Sequence, residues 1–511
     1  MVPIASASPR TGGWPRLPWG ALAIVVLGVA IQAMGQQICD NSWLILFAER
    51  VYEGATPYVD ITDPNLPATW LIYMPAVALA KASGLRAEAF VVVEMLALTL
   101  VSGLFTTRIL RGGGLLADLD VPAARAAFLF ASLIVWGANF GQREHFAVLM
   151  LLPMLALCAV RAAGAPVPAR DAILAGALAA GAVCIKPFYA LPLGLPILAV
   201  VSVRRAPRAA LQPENFAAAL AAALYYAALP KLTPAYFSLE MPQLVTVYLA
   251  GRYPLSAILT RPMVPYLAAA FGILSVLLWR RRDPRVLMLA ASAAGFFATY
   301  VAQGKMSFNH ALPAIHLVVV AFGVEYARRR AQAPAEAAAF LRRFAAPAFA
   351  LAPMFGLIHL SLLGLETSPG LRETVARLAP ARPAIGAIVE SFSVAFPLVR
   401  RLDGRWIGRA SAIWGTDVGY YLLAQPSTAP EQKRRIAAVI HSQRAWLAED
   451  LARGAPDVIL VESAALRARE LATPELAHAL DGYRHAADAS GVEIWLRAGA
   501  AARNPNAAAR S

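Results

Sequence analysis

Charge is the scarcest property of this chain. Asp, Glu, Lys and Arg supply 15% of its 511 residues, whereas 59% are hydrophobic and the mean hydropathy is +0.56. Soluble domains carry about 25% charged and 45–50% apolar residues, so a water-soluble globule is excluded. Cysteine is almost absent. Of the three, Cys158 and Cys184 fall inside apolar runs and Cys39 has no evident partner, which implies no disulfide framework. Acidic residues number 31 against 46 basic ones, a net charge of +15. The arginines cluster in short loops, "VSVRRAPR", "WRRRDPR" and "YARRR", which is how topology is written in a helical membrane protein, and no nucleic-acid partner is implied. A Gly-rich phosphate loop and a dinucleotide fingerprint are both missing. "ADLDV" holds a D-x-D pair, Asp118 and Asp120, but in a short loop with no α/β domain around it, so it reads as a solvated loop. No internal repeat is visible.

What is present is a series of apolar windows, each long enough to cross the ~30 Å hydrocarbon core at about 1.5 Å per helical residue. They lie near 19–35, 68–83, 88–107, 124–140, 146–161, 171–185, 187–203, 214–230, 263–279, 286–301, 311–327 and 344–363. The first follows a basic N-terminus like a signal peptide, yet an uncleaved span ahead of a bundle is the simpler reading. Basic loops at 161–170, 204–208, 280–285 and 327–343 are expected on the cytoplasmic side. That places 139–145, 231–262, 302–310 and everything beyond 364 on the outer face. A cytoplasmic N-terminus with an outer C-terminus needs an odd number of crossings. Twelve windows therefore predict eleven or thirteen spans, with the odd segment between 68 and 140.

Beyond about 380 the pattern changes. "PAIGAIVESFS", "DVILVES" and "VEIWLR" predict short strands, and "PEQKRRIAAVIHSQRAWLAEDLARG" and "PELAHALDGYRHAADA" predict amphipathic helices. The expected fold class is thus a multi-span α-helical membrane bundle over 1–364, then a small α/β domain over 365–500 and a disordered tail over 501–511.

Polar residues stand out against this background. The stretch "GQQICDNSWLILFAERVYEGATPYVDITDPNLPATW" carries Asp40, Asp60 and Asp63. Trp43, Leu44, Leu46, Phe47 and Val51 share one helical face. This predicts a short helix lying in the interface with its aromatic face in the headgroups, N-capped by Asp40 or Asn41 and ended by Gly54. The plainer reading makes Asp40 a cap and Asp60 and Asp63 turn formers ahead of Pro64. Two further clusters weigh against it. "FGQREHF" brings Gln142, Arg143, Glu144 and His145, and "QGKMSFNH" brings Gln303, Lys305, Ser307, Asn309 and His310. Lys186 sits at a Pro break in "CIKPFYALP", where a lysine can also snorkel. Such groups cost roughly 2.5–3.5 kcal/mol each within a span and persist where they line a polar cavity; as solvated loop residues they would need no such cavity.

Together they predict one outer-face site. Carboxylates come from the first loop and cations from later ones: Arg143, His145, Lys305 and His310, joined by Arg252 from "YLAGRYP". Cations with Ser and Asn donors suit a phosphate or diphosphate, and a carboxylate beside them suits proton abstraction from a hydroxyl. Phosphate leaves without needing a proton, so sugar transfer from a lipid phosphate needs one base and a cation cluster, unlike alkyl glycoside hydrolysis. A donor reaching an outer-face site is best carried by the bilayer itself, as a polyprenyl phosphate.

The first loop also resembles a known family. Asp40 opening an outer helix, Gly54, Pro57, Tyr58, Asp60, Pro64 and Pro67 are similar to the pattern of GT-C glycosyltransferases, in the bacterial branch related to protein O-mannosyltransferases and to aminoarabinose and galacturonic acid transferases. "GQREH", "IKPFYALP" and "GKMSFNHALPA" are similar to segments of that superfamily. The resemblance implies a GT-C-like bundle and an inverting transfer of a sugar from a polyprenyl-phosphate donor to a cell-envelope glycan, lipid or protein. It implies Asp40 as the base or the group orienting the acceptor, with Asp60 or Asp63 positioning the acceptor. Two residues depart from the pattern: Asn41 where many relatives have a second acid, and Glu144 where many have Asp. Metal dependence varies across the superfamily, so a divalent ion is neither assigned nor excluded. The setting implied is the bacterial inner membrane, N-terminus cytoplasmic and C-terminal domain periplasmic. A polymerase or ligase using a diphosphate-linked glycan is the near alternative. A transporter or lipid flippase is the distant one, and it would keep its charges at mid-membrane; no inverted repeat or paired broken helices support it.

Overall fold

A computed structural model describes residues 19–34, 37–332 and 369–499. The expected span at 344–363, the 364/365 boundary and the 501–511 tail lie outside the described residues. Within them the chain is a helical membrane bundle followed by a small α/β unit. Five helices are long and apolar enough to cross a membrane: Ala87–Gly112, Arg143–Ala162, Pro187–Arg204, Met263–Arg281 and Pro284–Gln303. A sixth is possible where Pro213–Leu232 continues into Tyr236–Tyr248 across an 86° bend. Arg143–Ala162 is the central element, buried almost throughout, which explains why it reads as continuously apolar past its first turn.

Two expected spans come out shorter: Trp19–Met34 and Val121–Leu133 have 16 and 13 residues, whereas Ala169–Ile185, with 17, starts two residues before its window. The window at 68–83 is not one helix but two, Ala68–Leu71 and Met74–Ser83, of four and ten residues. Its start is tied to Tyr225, whose hydroxyl accepts from the Ala68 N–H at 2.9 Å, and its end is tied back to the first loop by Lys81 with Glu53.

The first-loop helix, Cys39–Tyr52, forms where expected, with Gly54 just beyond it at φ +101°. Two expectations about it are corrected. Its N-cap is Ile38 without a side-chain bond, so Asp40 lies in the first helical turn, where a carboxylate faces the positive end of the helix. Its aromatic face meets protein rather than headgroups. Trp43 and Phe47 are buried, with Phe47 stacked 5.2 Å from Trp70 and Trp43 5.3 Å from Phe396 of the C-terminal unit. An indole N–H withdrawn from water needs a partner, and here it is Asp63.

The C-terminal unit holds a five-stranded sheet in the order β2-β1-β3-β5-β4: β1 Ala384–Ile388, β2 Arg405–Trp406, β3 Val458–Val461, β4 Tyr483–Ala489 and β5 Val492–Arg497. Strands β1 and β3 are parallel, paired Ile385 to Val458, and buried at every position, as central parallel strands are. Helix Pro430–Gly454 matches its expected limits. The helix expected over 474–489 does not form. Its second half is β4, an edge strand paired antiparallel with β5. Ser490 and Gly491, at φ +54° and +80°, make the two-residue turn that joins them. The residues of β4 are ordinary helix formers, and the turn after them decides their state.

This unit is clamped onto the bundle. Arg400, largely buried, bonds Glu49 at 2.6 and 3.0 Å and Glu88 at 2.7 and 3.2 Å. Arg50 donates to the Gly408 carbonyl and the Thr62 N–H to that of Arg409. Thr62 bonds Glu240, and Gln443 reaches Gln243 at 2.9 Å. Arg400→Met leaves Glu49 without its cation and Glu88 with only the more distant Arg86, at 3.5 Å. We expect it to cost roughly 2–5 kcal/mol, read as a lowered unfolding midpoint and faster proteolysis between the two units, and adding Glu49→Gln with Glu88→Gln should recover most of the loss.

Candidate active site

Three chain reversals at one end of the bundle carry the polar clusters. The first is 137–142, where Gly141 at φ +75° turns the chain into helix Arg143–Ala162; a Cβ there would lie 2.7 Å from Val91. Its carbonyl accepts the Tyr73 hydroxyl at 2.8 Å, and its N–H donates to His145 Nδ1. The second is Lys186, extended ahead of Pro187, between Ala169–Ile185 and the next helix. The third is the turn after Pro284–Gln303, with Gly304 at φ +64° and Met306 at +54°. The Gly304 carbonyl accepts the Tyr253 N–H, which ties this turn to the 248–253 loop.

These reversals bring together residues far apart in sequence. Gln142 Nε2 donates to Asp40 Oδ2 at 3.1 Å, and Asn309 Nδ2 donates to Gln142 Oε1 at 3.2 Å. Arg143 lies 3.9 Å from Asp40 and 3.4 Å from Glu144. Lys186 Nζ bonds Glu144 at 2.6 Å and Gln303 at 3.3 Å, and His310 stands 3.7 Å from the same Glu144 oxygen. Glu144 has no exposed surface, whereas the Asp40 side chain keeps 24% of its own. One carboxylate is thus committed to holding cations in place, and the other faces an opening.

Asp63 closes the floor of the first loop. It accepts from Trp43 Nε1 at 2.8 Å and from the Asn65 N–H and side-chain amide at 2.8 and 2.6 Å. Burial pushes its carboxyl above the ordinary range, against the pull of Arg143 and these hydrogen bonds. The Lys305 amine donates to the carbonyl oxygens of Tyr248 and Gly251 and sits 4.1 Å from the centre of the Tyr248 ring. Burial, with Arg252 adding to it, lowers its pKa to about 8. His310 is buried beside Lys186, and both burial and that cation hold its pKa well below the ordinary value, so it is a neutral ring.

Of the remaining sequence candidates, Arg252 lies near Lys305 and the others stand apart. Asp60 accepts from the Thr56 N–H on an exposed turn, its plainer role. His145 is buried in an aromatic stack, 4.2 Å from Trp136, with Nδ1 used by Gly141. Arg252 is exposed at the rim, its side chain against Gly304. Asp118 and Asp120 belong to the opposite end of the bundle, paired with Arg285 and Arg330. Sequence reasoning missed Asn41, Tyr73, Trp43, Asn65 and Tyr248. Of these only Asn41, next to Asp40, carried a signal; the others are ordinary residues of apolar or loop segments. Among the described residues no group of three or more His, Cys, Asp or Glu side chains is set to hold a metal ion.

No protein-family model matches the chain, and neither does any curated protein. Solved structures do. ArnT from Cupriavidus metallidurans in the apo state has a TM-score of 0.57 over 94% of this chain and 99% of its own, at 13% identity. The fold is that of ArnT. The same protein bound to undecaprenyl phosphate has a TM-score of 0.54 at 14% identity, over 96% of this chain and 100% of its own. At such identity the likeness is one of fold. It covers both the bundle and the C-terminal unit, as the GT-C resemblance of the first loop implies.

The Glu144 cluster predicts a stability signature. Lys186→Met strands a buried carboxylate and should cost about 3–5 kcal/mol. Lys186→Met with Glu144→Gln should regain much of it, measured as thermal unfolding in detergent.

Proposed function

We propose that this protein transfers a sugar from a polyprenyl-phosphate donor to a hydroxyl of a cell-envelope acceptor, with inversion at the anomeric carbon. The observation that carries the reading is Asp40. It is the partly open carboxylate of the cluster, linked to Gln142, 3.9 Å from Arg143, with Lys305 and Arg252 on the later loops. In a single displacement Asp40 takes the proton of the acceptor hydroxyl as its oxygen attacks the anomeric carbon. The bond from that carbon to the phosphate oxygen breaks, and the lipid phosphate leaves as an anion beside Arg143, Lys305 and Arg252. No acid is required, because the departing phosphate is a weak base. Asp63, engaged by Trp43 and Asn65, positions the acceptor side of the loop. Glu144, Lys186 and His310 hold Arg143 in register from below, and Gln303 and Asn309 complete the polar wall.

The fold shared with ArnT supports the lipid-linked donor, since ArnT has been captured with undecaprenyl phosphate. The position of the charges supports an enzyme over a transporter. Arg143 and Glu144 open a span, Gln303 closes one, and Lys186 sits at a break. By this reading the cluster faces the periplasm, 365–500 is a periplasmic domain roofing it, and 1–364 is the catalytic bundle in the bacterial inner membrane. The two short helices over 68–83 support reading that window as the odd, non-crossing segment, which favours eleven of the expected eleven or thirteen spans.

Asp40→Asn should lower transfer by about 10²–10⁴-fold at an unchanged melting temperature, measured with radiolabelled polyprenyl-phosphate sugars and purified protein; full activity would remove the mechanism. Lys305 is charged below its pKa of about 8 and neutral above it. Donor kcat/KM should therefore fall as pH rises through about 8, and Lys305→Met should have a raised donor KM with that alkaline limb gone.

A further inference from the structure

A large cavity lies far from Asp40. It has a volume of about 530 Å³ and opens between helices Ala87–Gly112, Val121–Leu133, Arg143–Ala162 and Leu312–Gln332. Ligand pockets span about 300–1,000 Å³. The walls are apolar, with Leu104, Phe128, Leu129, Leu152, Leu155 and Val324 among them, and Leu100 and Leu104 are more than half exposed toward the bilayer. One end is different: Arg108, Arg111, Arg125 and Arg285 line it. Arg108 is paired with Asp171, and Arg285 with Asp118 and Asp283. The side chains of Arg111 and Arg125 have no hydrogen bond or ion pair among the described residues.

An apolar chamber with two uncompensated cations at its mouth is complementary to a ligand with an apolar chain and an anionic head. Thr106 also lines it, about one and a half helical turns inside Arg111, and its buried hydroxyl has no partner among the described residues. That is the depth at which the ester carbonyl of a glycerolipid would fall. Gly103 makes room for the Phe128 ring, which a Cβ would meet at 2.7 Å. The site is at the arginine-rich end of the bundle, where basic pockets between helices meet anionic lipid heads. Helix Ala87–Gly112 begins beside the Arg400 clamp and ends here, 26 residues later, a length of about 39 Å. The pocket is therefore separate from the site around Asp40.

We infer that this cavity binds one acyl chain of an anionic glycerophospholipid, with the lipid phosphate held by Arg111 and Arg125 and the ester carbonyl by Thr106. The occupant stiffens the arginine end of the bundle, against which helices Arg143–Ala162 and Leu312–Gln332 pack.

The test is native mass spectrometry of the full chain released from mild detergent with phosphatidylglycerol and phosphatidylethanolamine supplied in equal amounts. One phosphatidylglycerol should remain bound in preference. Arg111→Gln with Arg125→Gln should weaken its retention roughly thirtyfold, the equivalent of about 2 kcal/mol for two arginines near a lipid surface, and leave phosphatidylethanolamine unchanged. Ala156→Phe, which fills the cavity while keeping both arginines, should displace the lipid. Equal retention of the two lipids, unchanged retention in the double variant, or a bound mass equal to a polyprenyl phosphate would overturn the proposal. So would a cross-link from Leu104→Cys to a cysteine placed within 344–363, since the chain itself would then be the occupant.

Discussion

Everything at the Asp40 end of the bundle depends on neutralising one carboxylate. Glu144 opens the most deeply buried helix and has no exposed surface. A charge in such surroundings persists only with partners: Arg143 beside it and Lys186 from a helix break, with the neutral His310 ring from the turn after Gly304 packed 3.7 Å away. Satisfying Glu144 therefore brings three chain reversals together. The polar cluster around Asp40 is a by-product of that requirement. Gln142, adjacent to this cluster, reaches Asp40 on one side and accepts from Asn309 on the other.

The roof of the chamber follows a second constraint. The first-loop helix has an aromatic face that would be costly to expose, and the C-terminal unit covers it with Phe396 against Trp43. Arg400, gripping Glu49 and Glu88, converts this apolar contact into a fixed orientation, because a bidentate guanidinium tolerates little rotation. The loop bearing Asp40 and Asp63 is thus held between two folded units, on rigid elements rather than on a free strap. That is the condition for placing a reacting group accurately.

Much of this was visible beforehand, and for identifiable reasons. The spans, the arginine loops, helix Pro430–Gly454 and the buried strands each follow from local transfer energies or periodicity. The polar clusters were conspicuous because ionisable groups are expensive at span ends. The errors have physical causes too. Residues 483–489 have helical composition, yet the turn at Ser490 and Gly491 pairs them as a strand. His145 has the chemistry of a phosphate ligand, but a ring flanked by Trp136 and Phe140 is packed away from the chamber. The aromatic face of Cys39–Tyr52 has the pattern of an interfacial helix, and only the presence of a covering domain changes what it faces.

By itself, the order of residues determined that this is a helical membrane protein with a small α/β unit after the bundle, and which short segments hold its chemistry. Those properties are sums over neighbours in the chain: hydropathy over a window, charge in a loop, a period of two or 3.6. Tertiary structure alone decided which carboxylate is committed to structure and which is open, that Asp60 and His145 stand aside, and that Tyr73, Trp43 and Tyr248 belong with the rest. Those are distances across the fold, some between residues more than a hundred positions apart, as from Asp40 to Gln142 or from Gln142 to Asn309. No local pattern encodes them, because they are set by how buried charges find one another as the helices pack.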